Sequence, residues 1–258
     1  MREIREGIDM DSSDMLLARM DDLANKAVKT GFAASKFLTP TEAQNVTEYF
    51  TRRRDVLLTL DGGYENAERT RAIFTNSDWG GYDRSELLAA LRITHRPQDT
   101  FGHRDILGAL MALGIERDTI GDILIDQQFA AFVCLPELSG YISENLTKAG
   151  RVGIVVSEIS LCELPARTEE LTVKTDTVAS LRLDAILCAV FGLSRAKAAE
   201  LIVAGRVSLN HQICLQVAKE VSESALLSIR GLGRARLLEV GGVSRKGRTF
   251  IKIGLYAR

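Results

Sequence analysis

With 258 residues, 46% of them hydrophobic and 26% charged, the chain has the composition of a soluble globular protein with room for two or three compact modules, not of a disordered or membrane chain. No stretch approaches the roughly 20 apolar residues that would span a bilayer, and the charged start Met1-Arg2-Glu3-Ile4-Arg5-Glu6 is not followed by the apolar run of a secretory signal. The net charge of −1 conceals a division: residues 182–258 hold 13 Lys and Arg against 5 Asp and Glu, whereas residues 1–181 hold 20 against 29.

Met15, Leu16, Leu17, Met20, Leu23, Ala24 and Ala27 recur at helical spacing and predict a helix near the start. Thr39-Pro40-Thr41-Glu42 opens a second helix, with Thr39 as N-cap, Pro40 at the first helical position and Glu42 three residues after the cap. A short strand over 56–60 runs into the turn Asp61-Gly62-Gly63, which we expect to precede a helix. Residues 85–94 read as a strand, 105–112 as a helix closed near Gly114, and 123–135 as a hairpin turning at Asp126-Gln127-Gln128. Residues 137–148 read as a helix closed at Gly150, and 152–156 as a buried strand. Alternation at this spacing implies a small α/β sandwich. The polar stretch 165–177 reads as the approach to the next module.

In the basic module Leu183, Ile186, Leu187, Val190 and Phe191 form one apolar helical stripe ended by Gly192. Ser194 caps a second helix with Ala198, Leu201 and Ile202 as its buried positions and Gly205 as its left-handed terminator. Arg195 and Lys197 stand in the first turn of that helix, where the dipole favours acidic side chains. A phosphate held by free backbone N–H groups and two cations accounts for them; solvated surface cations are the alternative. Residues 206–213 alternate as strands and turn at Asn210-His211, a pair that tolerates positive φ. A strand over 226–230 leads into Gly231-Leu232-Gly233-Arg234-Ala235-Arg236, and Arg245, Lys246 and Arg248 form a basic turn before the last strand. There Arg248, Phe250 and Lys252 share one face, a ring flanked by cations.

Arg182-Leu183-Asp184, Leu187, Ser194 to Ala198, Leu201-Ile202, Gly205-Arg206-Val207, Leu209-Asn210 and Arg230 to Arg234 together resemble the S-four-type RNA-binding domain, with its αL motif. Two departures are His211, where that family commonly has glycine, and Ser222-Glu223-Ser224-Ala225, where a Gly-Asp turn is usual. The whole chain is similar to the YlmH family, related to RqcP, through His103 to Leu110, Gly114-Ile115, Ile120 to Ile123 and the tail from Gly241-Gly242 to Tyr256. The resemblance implies an α+β chain: an N-terminal, mostly helical α/β region over 1–84, a central RNA-recognition-like α/β sandwich over 85–163, a linker over 164–180 and an S-four-type domain over 181–258. It further implies a ribosome-associated factor on the large subunit, acting in quality control of stalled translation, with cell division and photosystem maintenance also attached to the family.

The function expected is therefore non-catalytic binding of structured rRNA or tRNA. Arg182, Arg195, Lys197, Arg206, Arg230, Arg234 and Arg236 would grip phosphates, Asn210 and Phe250 would make closer contacts, and Ser194, Arg245, Lys246, Arg248 and Lys252 complete the candidate surface. No cofactor and no metal are expected. Cys134, Cys162, Cys188 and Cys214 lie too far apart for a paired zinc site and read as reduced thiols of a cytoplasmic protein, or of an organellar stroma. His95-Arg96 and His103-Arg104 lack a third ligand or a partner base. Gly62-Gly63-Tyr64 with Arg69 and Arg71 could touch RNA, but a tight turn before a helix is the favoured account of the glycines. The rival is an RNA-modifying enzyme, or its delivery subunit, served by the basic module. A protein partner for the acidic N-terminal part is the third expectation.

Overall fold

A computed structural model of the chain describes residues 2–76, 81–125, 129–165 and 171–256. It divides into two compact units, Met1–Arg167 and Thr168–Arg258. The hairpin turn expected at residues 126–128 lies outside the described residues.

The first unit begins with α1 (Arg2–Thr30), β1 (Phe32–Leu38), α2 (Pro40–Phe50), β2 (Leu57–Asp61) and β3 (Thr70–Thr75). The cap of α2 is a reciprocal box: Thr39 Oγ1 accepts from the Glu42 amide, and Glu42 Oε2 accepts from the Thr39 amide at 2.7 Å. β1, β3 and β2 form an antiparallel sheet in that order. Met20, Ala24 and Ala27 of α1 and Val46 and Phe50 of α2 pack with Ala72 and Phe74 of the sheet. Two of these strands, β1 and β3, were not expected, and the glycine turn at 62–63 leads to β3 instead of a helix.

The next layer runs β4 (Ala89–Thr94), α3 (His103–Ala112), β5 (Ile120–Ile125), β6 (Ala130–Cys134), α4 (Pro136–Asn145), β7 (Lys148–Ala149), β8 (Val152–Gly153) and β9 (Val155–Ile159). Its antiparallel order β5-β6-β4-β9, with α3 and α4 as crossovers, is that of an RNA-recognition-like sandwich. α4 ends at Asn145, three residues before the expected limit, and Gly150, at φ +59, turns the small β7–β8 hairpin instead of closing the helix. The buried strand expected over 152–156 is thereby split, and Val155 is 68% exposed.

One face of this sheet takes the helices through Leu91, Ile93, Phe132, Ile106, Leu110 and Ile142. Part of the other face, Ala90, Ala131 and Val133, packs on Phe37 and Ile73 of the N-terminal sheet and on Leu87 and Leu88. Asp122, buried in β5, ties the layers together by accepting from Tyr64 Oη (2.7 Å) and from the Glu68 and Arg69 amides (2.6 and 3.1 Å). Arg71 is buried too, donating to the carbonyls of Ser35 and Leu87, and burial holds its guanidinium below the ordinary arginine range. It is therefore an internal staple and no RNA contact. Burial also pushes the Cys134 thiol up to about 12.

The second unit comprises β10 (Leu171–Val178), α5 (Leu183–Phe191), α6 (Arg195–Val203), β11 (Val207–Leu209), β12 (Gln212–Ile213), β13 (Leu226–Ile229), β14 (Gly233–Val243) and β15 (Thr249–Tyr256). All strands join one antiparallel sheet in the order β10-β15-β14-β13-β11-β12. Leu183, Ile186, Leu187, Ala198, Leu201 and Ile202 pack the two helices onto Val207, Leu227, Ile229, Ala235, Leu237, Ile251 and Ile253. Residues 171–178, expected within a linker, are the edge strand of this sheet, with eight registered partners on β15. Residues 233–243, expected to be partly turn, form its longest strand, bulged between Leu237 and Glu239 and between Val240 and Val243.

Candidate nucleic-acid interface

The helical hairpin is defined by its caps. Ser194 Oγ accepts from the Lys197 amide at 3.2 Å, Gly192 closes α5 at φ +66, and Gly205 follows α6 at φ +68. Asn210 and His211 both adopt positive φ (47° and 68°), the requirement of a type I′ hairpin turn, and Asn210 Oδ1 accepts from the Leu226 amide at 2.8 Å. Asn210 thus clasps β13 within the turn.

Strand register sorts the cations. Directly opposed residues of an antiparallel pair share a face, and so do residues two apart on one strand. Ser208 opposes Ser228, which opposes Arg234; Arg236 opposes Leu226 on one side and Gly254 on the other. The Arg230 amide donates to the Arg206 carbonyl at 3.0 Å, which continues the ladder by one step. Arg206, Arg230, Arg234 and Arg236 therefore stand on the sheet face away from the helices, with Phe250, Lys252 and Tyr256 of β15. Phe250 is 44% exposed, whereas its neighbour Ile251, on the helix side, is buried. Glu239, opposite Lys252, brings a carboxylate to this face.

Several of these side chains are held in place. Arg206 donates from a terminal guanidinium nitrogen to the Arg230 carbonyl at 2.9 Å. Arg234 lies over the Tyr256 ring with 5.1 Å between guanidinium carbon and ring centroid, and Arg236 donates to Tyr256 Oη at 3.1 and 2.9 Å. Tyr256 was missed as a site residue. The period of two through Phe250, Lys252 and Gly254 is the signal that reaches it. Arg248 donates to Thr177 Oγ1 at 3.0 Å and to the Thr177 carbonyl, so it fastens the β14–β15 turn to the edge strand, while Arg245 and Lys246 stand exposed in that turn.

The remaining three cations lie in the helical layer. Arg182 donates to both oxygens of Asp184 (3.1 and 3.3 Å), and Arg195 Nε approaches the same buried carboxylate at 3.7 Å. Lys197 pairs with Glu200 at 2.7 Å. The positive first turn of α6 thus has carboxylates of its own chain beside it. Asp184 is the common anchor of Arg182 and Arg195.

Two helices packed on an antiparallel sheet, with this capped hairpin and this basic surface, define an S4-domain protein: the S4 domain model matches residues 181–227. The family models described as "YlmH, N-terminal" and "Putative RNA-binding domain in YlmH" match residues 13–79 and 93–163. A curated relative is the "Ribosome-associated protein quality control protein P2" of Bacillus subtilis (strain 168), 33% identical over 213 residues that cover 81% of this chain and 82% of the relative. Among solved structures, "Cell division protein ylmH from Streptococcus pneumoniae" is similar at a TM-score of 0.48 and 20% identity, covering 62% of this chain and 94% of that one. The chain belongs to the YlmH family.

Proposed function

We propose that this chain is a non-catalytic RNA-binding protein of the ribosome, whose C-terminal sheet grips the backbone of folded rRNA or tRNA. One observation carries the reading: the strand register gathers Arg206, Arg230, Arg234, Arg236 and Lys252 on a single sheet face. Cations so arranged neutralise phosphates and release condensed counterions, and a rigid face reads the shape of a helix or junction more than its sequence. Phe250 and Tyr256 add ring surface within that field. Asn210 shapes the neighbouring hairpin, and Arg182, Arg195 and Lys197 form a second, carboxylate-tempered group.

The large subunit is the proposed partner and stalled translation the proposed setting; the Bacillus subtilis relative is named as a ribosome-associated protein quality control protein, and that association with the ribosome is what supports the choice. The cytoplasm, or the stroma of an organelle with its own ribosomes, is the proposed place. Among the described residues no helix is long and apolar enough to cross a membrane. A salt titration of binding to an rRNA hairpin tests the reading: with five cations engaged, log K falls against log salt with a slope of about −4.5. Co-sedimentation with purified large subunits is expected beside it. A flat salt dependence, or migration with free protein only, sinks the proposal.

A further inference from the structure

The C-terminal sheet ends in two edge strands, β12 and β10. β12 spans Gln212–Ile213, whereas β10 runs for eight residues and, among the described residues, pairs with β15 alone. An exposed edge of that length is a template for a further strand unless its side chains turn one away. β10 contains neither proline nor glycine, and Thr172, Val173, Thr175, Thr177 and Val178 are β-branched, a composition that favours extended backbone. Residues Thr172, Val173, Lys174 and Thr175 are all exposed, Val173 at 52%.

The order of these residues is complementary to itself. Antiparallel pairing of β10 with the β10 of a second copy, centred on Thr175, sets Lys174 opposite Asp176 of the other copy and Asp176 opposite its Lys174, with Val173 facing Thr177 and Thr172 facing Val178. Opposed residues share a sheet face, and within one chain Lys174 Nζ already lies 3.6 Å from Asp176 Oδ2. The four charges then alternate around a square, each with the opposite sign both along its own strand and across the seam. Moving the centre to Lys174 sets two lysines face to face, and moving it to Asp176 two aspartates, so the charges select one register. A guarded edge carries charge of one sign; this one carries a pair that attracts its own copy. Lys174 also donates to the Ala189 carbonyl at 3.3 Å, which holds it on the helix side of the sheet. At the far end Arg248 donates to Thr177 Oγ1 and to its carbonyl, so the seam is short and the contact belongs to the small, weak class.

We propose that β10 is a homotypic interface, through which two copies of this chain join their C-terminal sheets edge to edge about a two-fold axis normal to the sheet. That axis keeps both outer faces on one side, and Lys252 and Phe250, the β15 partners of Thr175 and Thr177, then flank the seam from both copies. The contact goes beyond the RNA-binding reading and stands without it. Sedimentation of the full chain is expected to show a reversible monomer–dimer equilibrium in the micromolar range. Lys174→Asp and Asp176→Lys each leave two like-charge pairs across the seam, and each weakens the dimer at least about tenfold. Mixing the two variants restores opposite charges at both cross-strand positions and returns the affinity to within about threefold of the native chain, read with one variant fluorescently labelled. That rescue separates the seam from a structural role, because the pair within each chain is lost in both variants. Thr175→Cys, which meets its own copy at the axis, is expected to cross-link under mild oxidation, with the native chain and its exposed Cys162 as the background. A native chain that stays monomeric into the high micromolar range, variants that dimerise as the native chain does, or a mixture no tighter than either variant alone overturns the proposal. RNA binding by the same monomeric variants is measured separately, and its loss or retention bears on the broader reading and not on the seam.

Discussion

The four-stranded central sheet and the six-stranded C-terminal sheet each carry two helices on one face, yet their second faces differ. In the central sheet Ala90, Ala131 and Val133 continue into a second apolar layer, and β4 and β6 read as near-unbroken runs, Ala-Ala-Leu-Arg-Ile and Ala-Ala-Phe-Val-Cys. In the C-terminal sheet Arg234-Ala235-Arg236-Leu237 and Phe250-Ile251-Lys252-Ile253 alternate. A strand buried on both sides is apolar throughout, whereas one with a wet face alternates, so the run itself tells which sheet keeps a surface for a ligand.

Matched substitutions on the two second faces test this contrast. The largest effect is expected for Val133→Lys, which puts a charge on a fully buried position and costs more than about 4 kcal/mol in urea unfolding; Phe250→Lys, on the 44% exposed face, costs under about 1 kcal/mol. Similar losses would show that both faces are structural. Next, Arg234→Glu with Arg236→Glu weakens RNA binding at least about tenfold, or ~1.4 kcal/mol, while the far-ultraviolet circular dichroism is kept. Removing the cap of α2 by Thr39→Ala costs about 1 kcal/mol, and hydrogen exchange should show β1 and β3 loosening with the helix that packs on them. The smallest effect belongs to Ser224→Gly: Ser224 holds φ +66 with its backbone bonded to Leu237, and glycine there raises stability by about 0.5 kcal/mol, read as a shift of the thermal midpoint.

The helical hairpin of the C-terminal unit was legible because its punctuation is local: Ser194, Gly192, Gly205 and the Asn210-His211 pair each do what their residue types favour. The capping box at Thr39 and Glu42 was legible for the same reason. β1 was not, because Ala33, Ala34 and Ser35 have little strand preference of their own, and it is the bond from the Ala72 amide to Ser35 Oγ, at 2.9 Å, that seats the strand on β3. β10 escaped notice since Thr172, Lys174 and Asp176 are polar on the face that an apolar pattern would have marked. β14 was obscured by two bulges that shift its period. For the candidate interface, residue types and motif named the cations. Their division between an outer sheet face and an Asp184-centred group depends on register across strands distant in sequence.

That register bears on the order in which the C-terminal unit assembles. α5, α6 and the β11–β12 turn join neighbours a few residues apart, whereas Leu171 meets Tyr256 only after a loop of roughly 80 residues has closed, at an entropic cost that short hairpins escape. The helical hairpin can therefore nucleate early, and pairing of β10 with β15 is expected to follow it.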